Sequence, residues 1–198
     1  CAESPGASGP LPSHGIYRPL DGELRQLAEM IGSAERITVF CGIGAREAHD
    51  EVVRLAAMLK APVAYTFKAK MEVQYDNPYE IGMTGLLGLP SAYGAMHESD
   101  LLLLLGPDFP YDCFLPSECR IAQVDIRPER IGRRARVELG LAGDVKETLQ
   151  ALFPMLRERS DRVFLDRQLK IYGALCDDMA AVASKRGSAG NIAPEYVA

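Results

Sequence analysis

Residues 36–67 read RITVFCGIGAREAHDEVVRLAAMLKAPVAYTF. The run ITVF is short, apolar and rich in β-branched and aromatic residues, which predicts a strand stopped by the glycines at 42 and 44. From 45 to 61 the pattern turns to helical period and sets Val52, Leu55, Ala56 and Leu59 on one side. Pro62 is placed to end that helix, and PVAYTF predicts the next strand. Strand, helix, strand is the repeating unit of a parallel sheet.

The same alternation extends in both directions. DGELRQLAEMI (21–31) puts Leu24, Leu27, Ala28 and Ile31 on one helical face. PSAYGAMHES (90–99) reads as a helix delivering the chain to DLLLLLG (100–106), a strand by composition. CRIAQVDI (119–126) and VELGLAGD (137–144) are two further strands. DVKETLQALFPML (144–156) opens on Asp144, a good N-cap, and turns Val145, Leu149 and Leu152 inward. Residues 161–187 read as one polar-faced helix, and Lys68–Leu89 as a loop marked by Gly82, Gly85 and Gly88. Strands rich in Val, Ile and Leu without alternation fit a sheet covered on both faces. The expected fold class is α/β, a Rossmann-like parallel sheet with helices on both faces.

Composition narrows the function. A chain of 198 residues, 47% hydrophobic, builds one core and not two full-sized catalytic domains. A formal net charge of −5 and no basic-aromatic pattern argue against nucleic acid as a partner. No apolar run is long enough for a membrane span, and CAESPGASGPLPSHG (1–15) lacks the basic and apolar regions of a signal peptide. Cys1, Cys41, Cys113, Cys119 and Cys176 are irregularly spaced and contain no C-x-x-C pair. They read as reduced thiols of a cytoplasmic protein, not as zinc ligands or disulfides.

In a parallel sheet, ligands bind beyond the carboxyl ends of the strands, so the residues that follow each apolar run are the place to search. After ITVF, Gly42 and Gly44 form a G-x-G turn that lets backbone approach a diphosphate, or simply makes a tight turn. Glu47 stands where the dinucleotide fingerprint has its third glycine, and AYTF ends in Lys68 rather than an acid, which disfavours an ordinary NAD site. After the leucines come Gly106, Pro107, Asp108, Phe109, Pro110 and Tyr111, a stiff turn whose rings either face a planar ligand or plug the core. After IAQV comes Asp125, placed to hold ribose hydroxyls or to cap its own loop. Arg127, Arg130, Arg133, Arg134 and Arg136 either neutralise a phosphate or form a solvated loop face, the second being the favoured reading. His14, His49 and His97 have no nucleophile arranged beside them, and no carboxylate pair stands out for acid–base work.

The segments YDNPYEIGMTGLLG, DLLLLLGPDFPY, IAQVDIRPERIG and GDVKETLQALFPML together resemble thiamine-diphosphate-dependent pyruvate oxidases, in particular the bacterial quinone-reducing pyruvate dehydrogenases. The resemblance implies the central, FAD-binding domain of a three-domain subunit. It places 1–20 as a linker from a pyrimidine-binding domain, 21–157 as the central domain, and 158–198 as a helix and linker toward a diphosphate-binding domain. Thiamine diphosphate, Mg2+ and the catalytic glutamate would lie outside this chain, which would be inactive alone. FAD contacts implied by the matching motifs are Thr84, Gly85, Leu86 and Leu87, then Pro107, Asp108, Phe109, Pro110 and Tyr111, with Asp125 and the Gly42–Gly44 turn. Gly143 and Asp144 would approach the adenine end, while Ile43 and Arg46 depart from the family's smaller residues.

The implied reaction is decarboxylation of pyruvate, with electrons passing through FAD to quinone or oxygen. The implied assembly is a homotetramer, cytoplasmic or peripheral at the inner face of the membrane, although no membrane association is encoded in these residues. Two other expectations stand beside this one: the central domain of a non-redox enzyme such as an acetolactate synthase or 2-oxoacid decarboxylase, or a stand-alone nucleotide-binding module.

Overall fold

The computed structural model describes residues 15–184. Six strands form one sheet: β1 (Ile37–Cys41), β2 (Val63–Tyr65), β3 (Glu80–Met83), β4 (Leu101–Leu105), β5 (Arg120–Asp125) and β6 (Leu139–Ala142). Every pairing is parallel, and the order is β3-β2-β1-β4-β5-β6. This is the doubly wound order of a Rossmann-like α/β fold, as the sequence pattern predicts.

Helices α1 (Asp21–Ser33), α2 (His49–Leu59) and α5 (Val145–Leu152) cover one face, while α4 (Pro90–Glu98) and α6 (Val163–Ser184) cover the other. A short α3 (Lys70–Val73) follows β2. The leucines of β4 divide between these layers: Leu101, Leu103 and Leu105 pack with the first, Leu102 and Leu104 with the second. A strand buried on both faces cannot alternate with polar residues, and each leucine withdrawn from water contributes about 1.5–3 kcal/mol.

Local chemistry sets the helix ends. Asp144 caps α5, its Oδ1 accepting from the Glu147 amide at 3.1 Å. Pro90 occupies the first turn of α4, where no intrahelical N–H is needed. Helix α2 ends at Leu59 because Lys60 adopts a left-handed conformation, φ 52°, before Pro62 is reached. It also begins later than its period suggests, since Ile43–Ala45 form a 3-10 turn.

The Lys68–Leu89 stretch, read as loop, contains α3 and the edge strand β3. β3 carries Gly82 at φ 87° and pairs with β2 through an irregular register, so it lacks the length and side-chain pattern that reveal a strand. The first half of α6 is docked on the fold, with Leu165 and Gln168 buried and the Tyr172 hydroxyl donating to Glu80 of β3. Residues 1–14, with Cys1 and His14, and 185–198 lie outside the described part. None of the described helices is long and apolar enough to cross a membrane.

Candidate functional site at the carboxyl edge

The chain leaves β1 toward β2 and leaves β4 toward β5, on opposite sides of the β1–β4 pair. This topological switch point is where doubly wound sheets hold ligands. The sequence-predicted site residues lie at this edge, Asp125 as the last residue of β5 and the others on the turns that follow β1, β3, β4 and β6.

The G-x-G turn meets the chain itself. The Gly42 amide donates to the Leu105 carbonyl at 2.9 Å and the Gly44 amide to the Gly106 carbonyl at 3.1 Å. A Cβ at Gly42 would fall 2.2 Å from that carbonyl oxygen, and one at Gly44 would fall 2.7 Å from Gly106 Cα. The glycines thus permit contact between the β1 and β4 turns. Helix α2 starts farther on and places Asp50 and Glu51 in its own first turn, so its N-terminus already has negative charge nearby.

The Thr84–Leu87 and Pro107–Tyr111 segments come together. Gly85, at φ 118°, brings its backbone against the Phe109 ring, where a Cβ would sit 3.3 Å from Cε2 and 3.9 Å from Tyr111 Cδ2. Thr84 is buried, whereas Leu86 and Leu87 are 71% and 73% exposed. Phe109 is buried and meets Phe40 edge-on at 5.3 Å, so this ring is a core plug. Tyr111 packs edge-on against Phe109 at 5.5 Å and reaches the surface. Leu86, Leu87 and Tyr111 are therefore the apolar groups here that are free to meet a flat ligand.

Asp125 ends β5 with 5% exposure, its Oδ1 accepting from the Arg127 amide at 3.0 Å and its Oδ2 from Gln123 Nε2 at 3.5 Å. Burial pushes its carboxyl above the usual range, opposed by the Arg127 amide. It caps its own loop and keeps unused acceptor capacity. Gly143 and Asp144 lie under the chain: a Cβ on Gly143 would strike Pro19, and the Asp144 amide donates to Tyr17.

The Thr66 hydroxyl, just beyond β2, is buried with no hydrogen-bond partner among the described residues. Lys68 on the same loop donates to Asp108 at 2.6 Å, and Arg130 from the loop after β5 donates to the other oxygen of that carboxylate. Lys68 holds the Asp108 carboxyl below its usual range, partly offset by desolvation, and Arg130 lowers it further. The sequence reading raises Arg130 as a phosphate-neutralising candidate but misses Lys68 and the bridge that the Asp108 carboxylate makes between the two. The signal was present, since Lys68 follows a strand as directly as the residues it did select.

His49 bonds to the Tyr75 carbonyl through Nε2 and stacks on the Tyr75 ring, while His97 stacks on Tyr93. These are packing arrangements.

A family profile described as "Thiamine pyrophosphate enzyme, central domain" matches residues 24–152. The chain belongs to this family. Over 157 residues, 79% of the chain and 40% of the relative, it is 48% identical to an uncharacterized 42.6 kDa protein of Pseudomonas amyloderamosa. It is 33% identical over 80% of its length to 28% of a putative thiamine pyrophosphate-containing protein, YdaP, of Bacillus subtilis. It is 29% identical over 91% of its length to 30% of an acetolactate synthase of Mycobacterium avium. Further acetolactate synthases and a pyruvate oxidase of Lactiplantibacillus plantarum are also similar. The chain thus spans 28–40% of the length of the first three relatives.

Proposed function

We propose that this thiamine pyrophosphate enzyme central domain binds FAD along its carboxyl edge, within an enzyme that joins 2-oxo acids as acetolactate synthases do. The observation that carries the reading is the convergence at one switch point of the Thr84–Leu87 turn, the Pro107–Tyr111 turn and Asp125. The residues fit a dinucleotide at three points. Asp125 offers unused acceptor capacity for ribose hydroxyls, Leu86, Leu87 and Tyr111 offer apolar surface, and Thr66 has an unanswered hydroxyl. The G-x-G turn adds less, because the Gly42 and Gly44 amides already donate to the Leu105 and Gly106 carbonyls.

Bound there, FAD supplies a structural ligand in a synthase and a two-electron acceptor in an oxidase. The chain's own part is to position it: Phe109 braces Tyr111 from the core side, and the Asp125 loop fixes the carboxylate. Thiamine diphosphate and Mg2+ belong, on this reading, to the other domains of the family's three-domain subunit.

The recurrence of acetolactate synthases among the relatives supports the synthase reading. The Asp108–Tyr111 turn favours a second reading, the pyruvate oxidase type. Reconstitution of the intact protein with FAD, thiamine diphosphate and Mg2+, followed by anaerobic pyruvate, tests all of this. Flavin binding with acetolactate formed and no bleaching is expected. Rapid bleaching by pyruvate selects the oxidase reading, and absence of flavin binding removes the FAD assignment.

A further inference from the structure

One carboxylate ties together loops from both sides of the switch point. Asp108, beyond β4, accepts from Lys68, beyond β2, through Oδ2 and from Arg130, beyond β5, through Oδ1. Among the described residues Asp108 is the only acidic partner of either cation. Within salt-bridge distance the cluster holds one carboxylate and two cations, and the Asp125 carboxyl lies within the electrostatic reach of Arg130. The side chains are reachable from solvent, with exposures of 60% for Lys68, 28% for Arg130 and 37% for Asp108.

We propose that Lys68 and Arg130 are the anion-binding residues of this crevice, and that Asp108 is their internal counter-ion, displaced when a phosphate or diphosphate group arrives. The proposal rests on the reading that the carboxyl edge takes a nucleotide. It reverses the role that the motif resemblance implies for Asp108, from ligand contact to competitor.

The physical case has three parts. A carboxylate can only accept hydrogen bonds, so beside an incoming phosphate it repels, whereas an ammonium and a guanidinium donate and attract. Both cations are already held at the edge, so less conformational freedom is lost on ligand binding than from free side chains. A diphosphate carries more charge and more acceptor oxygens than Asp108, so exchanging one for the other leaves both cations satisfied. The cluster also supplies donors that the G-x-G turn does not, since the Gly42 and Gly44 amides are already bonded to the β4 turn.

The test is calorimetric titration of the intact protein with inorganic pyrophosphate and, separately, with FAD, comparing wild type with Asp108→Asn, Lys68→Met and Arg130→Met. Asp108→Asn is expected to tighten both ligands roughly three- to tenfold, and each methionine variant to weaken both about tenfold, the size of one charge-assisted hydrogen bond. Weaker binding of both ligands by Asp108→Asn overturns the counter-ion role. Unchanged binding in the methionine variants, or no pyrophosphate bound by wild type and Asp108→Asn, overturns the anion site. Pyrophosphate binding in the expected variant order without FAD binding supports the anion site and removes the flavin reading. FAD binding indifferent to all three variants does the reverse. Urea midpoints identify a variant that fails to fold, and the two methionine variants probe the site independently of the carboxylate.

Discussion

The Gly44 amide donates to the Gly106 carbonyl at 3.1 Å, and the two backbones lie so close that a Cβ on Gly106 would fall 2.4 Å from Gly44 Cα. Gly106 also has φ 57°, and its amide donates to the Val124 carbonyl, so it joins β1, β4 and β5 at the end of the central strand. Here the two turns meet backbone to backbone before the chain departs to opposite sides of the sheet, and glycine at both positions permits the contact.

Gly106→Ala should therefore destabilise strongly. The left-handed conformation costs a side chain about 1–2 kcal/mol, and backbone-on-backbone overlap adds strain of about 1–3 kcal/mol. Gly94→Ala is the control: it lies in α4 with no atom within 4 Å of the added Cβ, and should stabilise by about 0.4–1 kcal/mol. Urea denaturation of both variants checks the contrast. A Gly106→Ala midpoint equal to wild type would refute the close-approach account.

The Lys68–Asp108–Arg130 cluster has a pH signature. The native Asp108 carboxyl is held below its ordinary value of 3.8, so its contribution is present above that value and is lost as pH falls toward the native pKa. Wild type should be slightly more stable than Asp108→Asn near neutral pH, by less than about 1 kcal/mol because the groups meet solvent. The two stability curves should converge in acid. Thermal unfolding across pH 2–7 (roughly the range spanning the ordinary carboxylate pKa) reads the difference, and 1 M salt (about a 3 Å screening length) should shrink it.

These loops also show what the sequence makes legible. The leucines of β4, the helical faces of α1 and α2, and the Asp144 cap were readable because each is a local pattern with one physical meaning. The strand-end rule pointed to the carboxyl edge, where the β1, β3, β4 and β5 connections begin. What could not be read was where partners lie across space. Gly42 and Gly44 read equally as a phosphate cradle or a tight turn until Gly106 was placed against them. Phe109 and Tyr111 share one turn, yet one is a plug and the other reaches the surface. Lys68 and Arg130 meet through Asp108 from distant loops, and no periodicity encodes that. β3 was missed because Gly82 interrupts it at the sheet's edge.

Asp125 should show a functional residue's trade against stability. Burial raises its native pKa above 3.8, so the folded state takes up a proton more readily than the unfolded chain. That preference favours folding fully below 3.8, and its contribution is lost as pH rises through the native value. Asp125→Asn keeps an acceptor for the Arg127 amide and removes the buried charge. It should match or exceed wild-type stability at neutral pH and lose any advantage in acid. The same variant should weaken FAD by about tenfold, the scale of a lost charged hydrogen bond to ribose. A urea series at neutral and acid pH, paired with flavin titration, separates the two effects. A less stable Asn variant at neutral pH would show that the carboxylate serves the loop alone.

Arg159 should matter for stability more than its position between two helices suggests. Its guanidinium donates to the carbonyls of Ile31, Ala34 and Glu35 at the end of α1, while its own amide donates to Met58 near the end of α2. The last carbonyls of a helix lack intrahelical partners, and a cation there also opposes the negative end of the helix dipole. Arg159→Ala should cost about 1–3 kcal/mol by stranding those acceptors. Arg159→Lys should recover only part, because an ammonium cannot reproduce the guanidinium's planar fork across three carbonyls. The expected order of urea midpoints is wild type, lysine, alanine. Lysine equal to wild type would mean that charge alone, not the forked donor geometry, secures the α5–α6 connection to the end of α1.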